Sequence, residues 1–300
     1  MRAQVSLTVA ESKKLIAKAI ARMDIVRNAY EKGVIALHPS SSTIFIVEEL
    51  LGKLPDTKVW VMGMIIPKGA CGSAAGRASH RIQRTAEGRD IPRGPAGYLC
   101  SWVIEKGTLQ SGIPLRDILE RLGPQDIYIK GVTAVDCQNN AGVLIGNVVE
   151  GGTIGLVMAR QRENGFQLIL PVGLEKLIPI SIEEAAKEAA HRNELAYSMG
   201  MPCTLLPCKG KVVTELVALE ILTGVTAVPI SAGGLGGAEG AVTLVIKGDD
   251  EGVKKAIDII EGLKGTRLPR KVEPEDCRTC ETERCSLRGG KKHWISSVIT

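Results

Sequence analysis

The stretch from Val34 to Leu51, VIALHPSSSTIFIVEELL, most constrains what this chain can fold into. Val34 to Leu37 are all apolar and read as a buried strand. His38 and Pro39 end it, and Ser40, Ser41, Ser42 and Thr43 follow. Ile44 to Leu51 then space apolar residues at a near-helical period, with Glu48 and Glu49 on the wet side. The unit is strand, polar turn, helix. It sets hydroxyls and backbone N–H groups at a helix N-terminus, an arrangement suited to an anion. The competing reading is a Ser/Thr cap that only starts the helix.

A chain of 300 residues, 44% hydrophobic and 24% charged, can bury a sizeable core and has the composition of an ordinary globular protein. Aromatic residues are only 3%, so the core must rest on Val, Ile, Leu and Ala, which suits a parallel sheet covered by helices. The same scarcity argues against modules that stack nucleic-acid bases on aromatic rings. The net charge of +5 is too mild to imply a polyanionic partner. The opening MRAQVSLTVAESKK lacks the apolar core of a signal peptide, and no run of about 18 apolar residues offers a membrane span. A cytoplasmic location is therefore expected. Eight cysteines in a reducing compartment point to metal binding more than to disulfides.

Taken in order, Glu11 to Tyr30 reads as helical, with Gly33 ending a second helix. Val59 to Ile66 reads as a buried strand, and 67–99 as an irregular loop rich in glycine, proline and arginine. Strand character returns at Tyr98 to Glu105, followed by a short helix from Pro114 to Leu122. Asp126 to Val135 is a strand running into a turn cluster, Asp136 to Gly142, with a short strand at Val143 to Val149. Gly151-Gly152-Thr153 opens a helix, and Phe166 to Val172 is the next strand. Alternating strands and helices imply βαβ units. From Ser181 the order β-α-β-β-α, after a capped helix, reads as a ferredoxin-like α+β unit. The expected division is an α/β domain over 1–181, the ferredoxin-like domain over 182–270 and a Cys-rich tail over 271–300.

The segment KKLIAKAIARMDIVRNAYEKGVIALHPSSSTIFIVEELLG, followed in order by YIKGVTAVDCQNNAG, GGTIG and LILPVGLEKLIP, resembles the NagB/ribose-phosphate isomerase (RpiA)/CoA-transferase-like superfamily, including the effector domains of DeoR-type regulators. The resemblance covers roughly residues 10–180. It implies a Rossmann-like, mostly parallel sheet and ligands that are sugar phosphates, CoA thioesters or other phosphorylated metabolites. It also implies a homodimer. Where the isomerases carry a catalytic aspartate, this chain has Thr133, and a threonine cannot act as a carboxylate base at neutral pH. The turn Ser40 to Thr43 lacks the family's glycine. Glu163-Asn164-Gly165 spells the transferase nucleophile motif, but at a helix end away from the family position.

Further ligand-binding candidates are Lys176 after a strand end, Gly152 and Thr153 as a second N–H nest, and Asn139 and Asn140 beyond another strand. Their plainer readings are an exposed Lys–Glu pair, a helix start and turn-formers. The loop Gly69 to Thr85 combines glycines with Arg77, His80, Arg81 and Arg84. Arg77 is the candidate for closing over an acidic ligand or meeting an acidic partner protein. GGLGGAEG at Gly233 to Gly240 precedes a strand rather than a helix, so it is a hairpin tip; no nucleotide cofactor motif is present.

In the tail, Cys277-x2-Cys280-x4-Cys285 with His293 has metal-chelating spacing. Zinc held by Cys3His is one option. An iron–sulfur cluster is the other, since the spacing resembles the cluster segment of corrinoid iron–sulfur proteins; Cys203 or Cys208 would then supply the fourth thiolate.

The functional expectation is a small anionic metabolite, phosphorylated or CoA-type, held at the Ser/Thr turn by a transferase or isomerase with altered catalytic residues. The alternative is a non-enzymatic metabolite or redox sensor, or an iron–sulfur or zinc scaffold.

Overall fold

Arg2–Leu7 forms β1, whose alternating exposed and buried residues follow the RAQVSL pattern. Then come α1 (Val9–Arg22), α2 (Asp24–Lys32), β2 (Val34–Leu37), α3 (Thr43–Leu51), β3 (Ile65–Ile66), β4 (Gly69–Ala70), β5 (Trp102–Glu105), β6 (Thr108–Gln110), α4 (Leu115–Arg121), β7 (Ile127–Ile129), β8 (Ala134–Val135), β9 (Ala141–Ile145), α5 (Gly152–Asn164), β10 (Gln167–Pro171), α6 (Ile182–Ala190), β11 (Thr204–Cys208), β12 (Lys211–Val213), α7 (Glu215–Thr223), β13 (Thr226–Ala232), β14 (Val242–Lys247) and α8 (Asp250–Glu261). The computed structural model describes every residue except 57–58, 75, 77, 79–83, 85–87, 92–96, 100, 111, 147–150, 281, 283 and 296–300.

The fold is mixed α/β. Its main sheet, among the described residues, has six strands in the order β12-β10-β7-β2-β5-β6. The first four are mutually parallel, and β5 and β6 extend the sheet as an antiparallel hairpin. Lys106 and Gly107 turn that hairpin at φ 47° and 75°, as a two-residue type I′ turn requires. The alternation of each strand divides the core. Ile35, Leu37, Ile127, Ile129, Ile169 and Val213 face the layer of α1, α3 and α7. Ala36, Tyr128, Leu168 and Leu170 face the other side, where α4 and α5 supply Leu115, Ile118, Ile154 and Val157.

The strand expected from Val59 to Ile66 reduces to β3, and Asp126 to Val135 breaks into β7 and β8. The turn at Gly131-Val132-Thr133 redirects the chain into the β8–β9 hairpin instead of continuing the main sheet. The elements expected after Ser181 are present, but they do not share one sheet. β11 pairs with β9, β12 joins the main sheet beside β10, and β14 pairs with the N-terminal β1 on one side and β13 on the other. The division at 181/182 therefore cuts across three sheets, because the C-terminal strands complete surfaces begun by the N-terminal half. No strand forms at Gly265 to Arg270. Among the described residues no helix is long and apolar enough to cross a membrane.

Candidate functional site

The site begins with strand register. β2 and β7 are parallel neighbours with Leu37 opposite Ile129. The next residues, His38 and Lys130, therefore leave adjacent strand ends side by side. Their backbones continue the ladder, with His38 N–H donating to the Ile129 carbonyl at 2.9 Å and Lys130 N–H to the Ile169 carbonyl at 3.0 Å. Alternation sends both side chains to the face that carries Ala36 and Tyr128. This is the carboxyl end of the parallel strands, where open α/β sheets place ligands.

A cavity of about 240 Å³ lies there. The His38 and Tyr98 rings form one wall, stacked with centroids 5.1 Å apart and planes 20° apart. Lys130, Val143–Gly146 of the β9 end, and Met62 and Gly63 line other sides. Gly152 and Thr153 bring the N-terminus of α5 to the cavity. Gly151 and Gly152 hold φ of 70° and 64°, the left-handed region that a side chain would disfavour. Gly151 offers no side-chain cap, so the first-turn N–H groups of this 13-residue helix are not claimed by one.

Lys130 is 6% exposed. Among the described residues its Nζ makes no hydrogen bond and no ion pair; its electrostatic neighbour is the Cys208 thiol. Burial without a carboxylate disfavours the ammonium and lowers its pKa to about 7. Cys208 is itself half-buried, and the desolvation raises its thiol to about 11, so it stands as a neutral thiol beside the amine.

A second polar cluster lies at the same strand ends on the opposite face. Lys13 Nζ donates to Ser41 Oγ at 2.8 Å and lies 3.6 Å from Glu175 Oε1. Glu215, at the start of α7, accepts from the Leu174 N–H with both carboxylate oxygens, at 3.1 and 3.0 Å. Lys176 Nζ donates to the Val132 carbonyl at 2.8 Å. Burial drives every shift here: Glu215 rises to about 7 and Lys176 falls to about 8, while Lys13 falls although Glu175 opposes the change. The cluster is charge-balanced and knits α1, the end of β10 and α7 together.

The expected ligand residues separate accordingly. Gly152 and Thr153 line the cavity. Ser40 Oγ accepts from the N–H groups of Ser42 and Thr43, at 3.3 and 3.1 Å, and Thr43 Oγ1 donates to the His38 carbonyl. Ser40 and Thr43 are thus spent on starting α3 and Ser41 is taken by Lys13, while Ser42 Oγ has no hydrogen-bond partner among the described residues. Ser42 is buried beside them. Asn139 and Asn140 lie away from the cavity at the tip of the β8–β9 hairpin. Asp136 accepts from the N–H groups of Gln138 and Asn140, from Asn140 Nδ2 and from the Ile182 N–H, and Asn139 sits at φ 62°. Both asparagines are turn-formers. Thr133 Oγ1 donates to the Gly142 carbonyl and accepts from the Leu144 N–H across the same hairpin. Lys176 belongs to the opposite cluster. Arg77, His80, Arg81 and Cys100 lie outside the described residues.

In the tail, Cys280 Sγ accepts from the Thr282 N–H at 3.5 Å and Cys285 Sγ from the Leu287 N–H at 3.4 Å. His293 Nδ1 lies 3.2 Å from the Lys291 carbonyl. Among the described residues no three His, Cys, Asp or Glu side chains converge as they would around a metal ion.

Lys130, Tyr98, Lys13 and Glu215 were not legible as site residues one by one. Two of them carried a signal. Lys130 closes the apolar strand IYI, and Glu215 interrupts the apolar run from Val212 to Leu219. A charge set into a buried segment marks a place where it must be paired or used. Comparison with protein-family models, with curated proteins and with solved structures finds no match, so the site's own geometry carries the functional reading.

Proposed function

We propose that the protein binds a small phosphorylated or CoA-type metabolite by its anionic group in the cavity between His38, Lys130 and the start of α5, on a frame of the Rossmann-like, NagB/RpiA/CoA transferase-like kind. The observation that carries this reading is the Lys130 ammonium, buried without a carboxylate partner among the described residues, in a cavity that also meets an uncapped helix N-terminus. A bound phosphate or carboxylate would supply the missing counter-charge and accept the helix N–H groups. The volume of about 240 Å³ suits a compact phosphorylated metabolite, or the acyl end of a thioester, better than a whole coenzyme. Thermal-shift measurements against sugar phosphates, acyl-CoA and nucleotides test it. A ligand at a hundredfold excess over Kd stabilises by about 2.7 kcal/mol. Lys130→Met should remove the shift; a shift unchanged in that variant would place the ligand elsewhere.

A second reading concerns the tail. The N–H···S bonds at Cys280 and Cys285 fold the backbone around these sulfurs, and with the Cys-x2-Cys-x4-Cys spacing they support Cys277, Cys280, Cys285 and His293 as ligands that would close around zinc or an iron–sulfur cluster on binding. Metal analysis with visible absorption after anaerobic purification tests this. Metal-free protein that takes up neither zinc nor iron would remove the reading.

A further inference from the structure

The cavity holds a primary amine, and an amine in such a place has chemistry beyond charge pairing. Lys130 is held at the end of β7 by its backbone bond to Ile169, and it lines the cavity. Among the described residues no carboxylate pairs with the ammonium to hold its proton, and the nearest electrostatic partner is a thiol that remains neutral. The remaining walls, among the described residues, are apolar or glycine, apart from the stacked His38 and Tyr98 rings, Ser73 and Thr153. Lysines become nucleophiles when a desolvating site leaves the free amine accessible to a bound carbonyl.

We propose that Lys130 forms an imine with the carbonyl carbon of a small metabolite that also carries a phosphate or carboxylate, such as a 2-oxo acid or an open-chain sugar phosphate. This rests on the anion-binding reading of the same cavity. The neutral amine adds its lone pair to the carbonyl carbon, the nitrogen gives up one proton and the carbonyl oxygen takes one up, giving a neutral carbinolamine. Loss of the hydroxyl as water, with a second proton, leaves the protonated imine. No electrons are gained or lost overall. The positive charge stays on the nitrogen, so the substrate's anion keeps a counter-charge in the cavity after the bond has formed. His38 and Tyr98 share the cavity and are the ring-borne groups placed to pass the proton to the departing hydroxyl.

The experiment is reductive trapping with the full-length protein. Pyruvate, glyoxylate, glyceraldehyde 3-phosphate and ribose 5-phosphate are each added with cyanoborohydride, which delivers hydride to the imine carbon. Intact mass should rise by the ligand mass less one oxygen, and peptide mapping should place the adduct on Lys130. A small β-diketone serves as a probe indifferent to specificity. It should give a near-ultraviolet enaminone band at a single site, absent from Lys130→Arg. That variant keeps a positive charge and removes the nucleophilic amine. Ligand shifts in the wild type without any Lys130 adduct, or adducts only on surface lysines, would overturn the imine and leave the anion site standing. Neither shift nor adduct would remove both readings. Mapping on the wild type decides the question even if a variant fails to fold.

Discussion

Lys13 Nζ donates to Ser41 Oγ at 2.8 Å, joining the first long helix to the polar turn between β2 and α3. The turn that looks from sequence like an open anion site is thus supplied with a cation by the protein itself. Ser41→Ala leaves a 94%-buried residue, Lys13 at 6% exposure, with only Glu175 for company. Loss of a hydrogen bond to a charged group should cost roughly 1.5–3 kcal/mol. Urea denaturation measures the cost. The ligand-induced thermal shift should survive, because the cavity lies on the other face of the sheet.

Ser40→Ala tests the neighbouring hydroxyl. Ser40 Oγ satisfies the N–H groups of Ser42 and Thr43 at the start of α3. Removing an N-terminal cap costs about 1 kcal/mol. The midpoint in urea should fall by the corresponding amount with an unchanged slope. A loss of ligand binding with no loss of stability would return the turn to its role as the anion site.

Much of the frame could be read from the chain. The strand VIAL, the turn and α3 stand where hydrophobic pattern and caps predict them, and so do α5, β10 and α8. β1 is not legible although RAQVSL alternates cleanly, because its partner, β14, lies far along the chain. Sheet membership was the least legible property. VIAL and KVV carry no mark of their neighbours, and a segment whose order reads as one small domain can deal its strands to three sheets. The site suffered in the same way. Hydroxyls in a row are conspicuous in sequence, but here Ser40, Ser41 and Thr43 are consumed locally. The pairing of His38 with Lys130 depends on the register between β2 and β7, which no local pattern encodes.

Glu215 gives stability a pH dependence. Burial raises its folded-state pKa to about 7 from an ordinary 4.5. A raised carboxylate favours the folded state where it is protonated, so this contribution is fully present below about pH 4.5 and is lost as the pH climbs through 7. Glu215→Gln keeps an oxygen for the Leu174 N–H and removes the titration. The variant should match or exceed the wild type at pH 8, and its advantage should shrink toward pH 5. Denaturant melts across that range check the slope; equal slopes in the two proteins would exclude Glu215 as the source.

Lys130 titrates in the opposite sense. Its pKa falls to about 7 from 10.5 because the ammonium is desolvated and uncompensated by a carboxylate. The folded state therefore bears a penalty on the order of 4 kcal/mol at neutral pH. That penalty is complete below about pH 7 and disappears as the pH rises toward the unfolded value. Lys130→Met, of similar length and apolar, should stabilise the ligand-free protein by roughly 2–4 kcal/mol at pH 6, with the gain vanishing near pH 10. The same change should abolish the ligand shift. In the wild type, a ligand that needs the ammonium should bind more weakly above pH 7, by about tenfold per unit. Binding at pH 8 should also take up a proton, seen as a buffer-dependent heat in calorimetry. Stability gained as binding is lost marks a residue retained for its chemistry. A variant less stable than the wild type at pH 6 would instead make Lys130 a structural lysine.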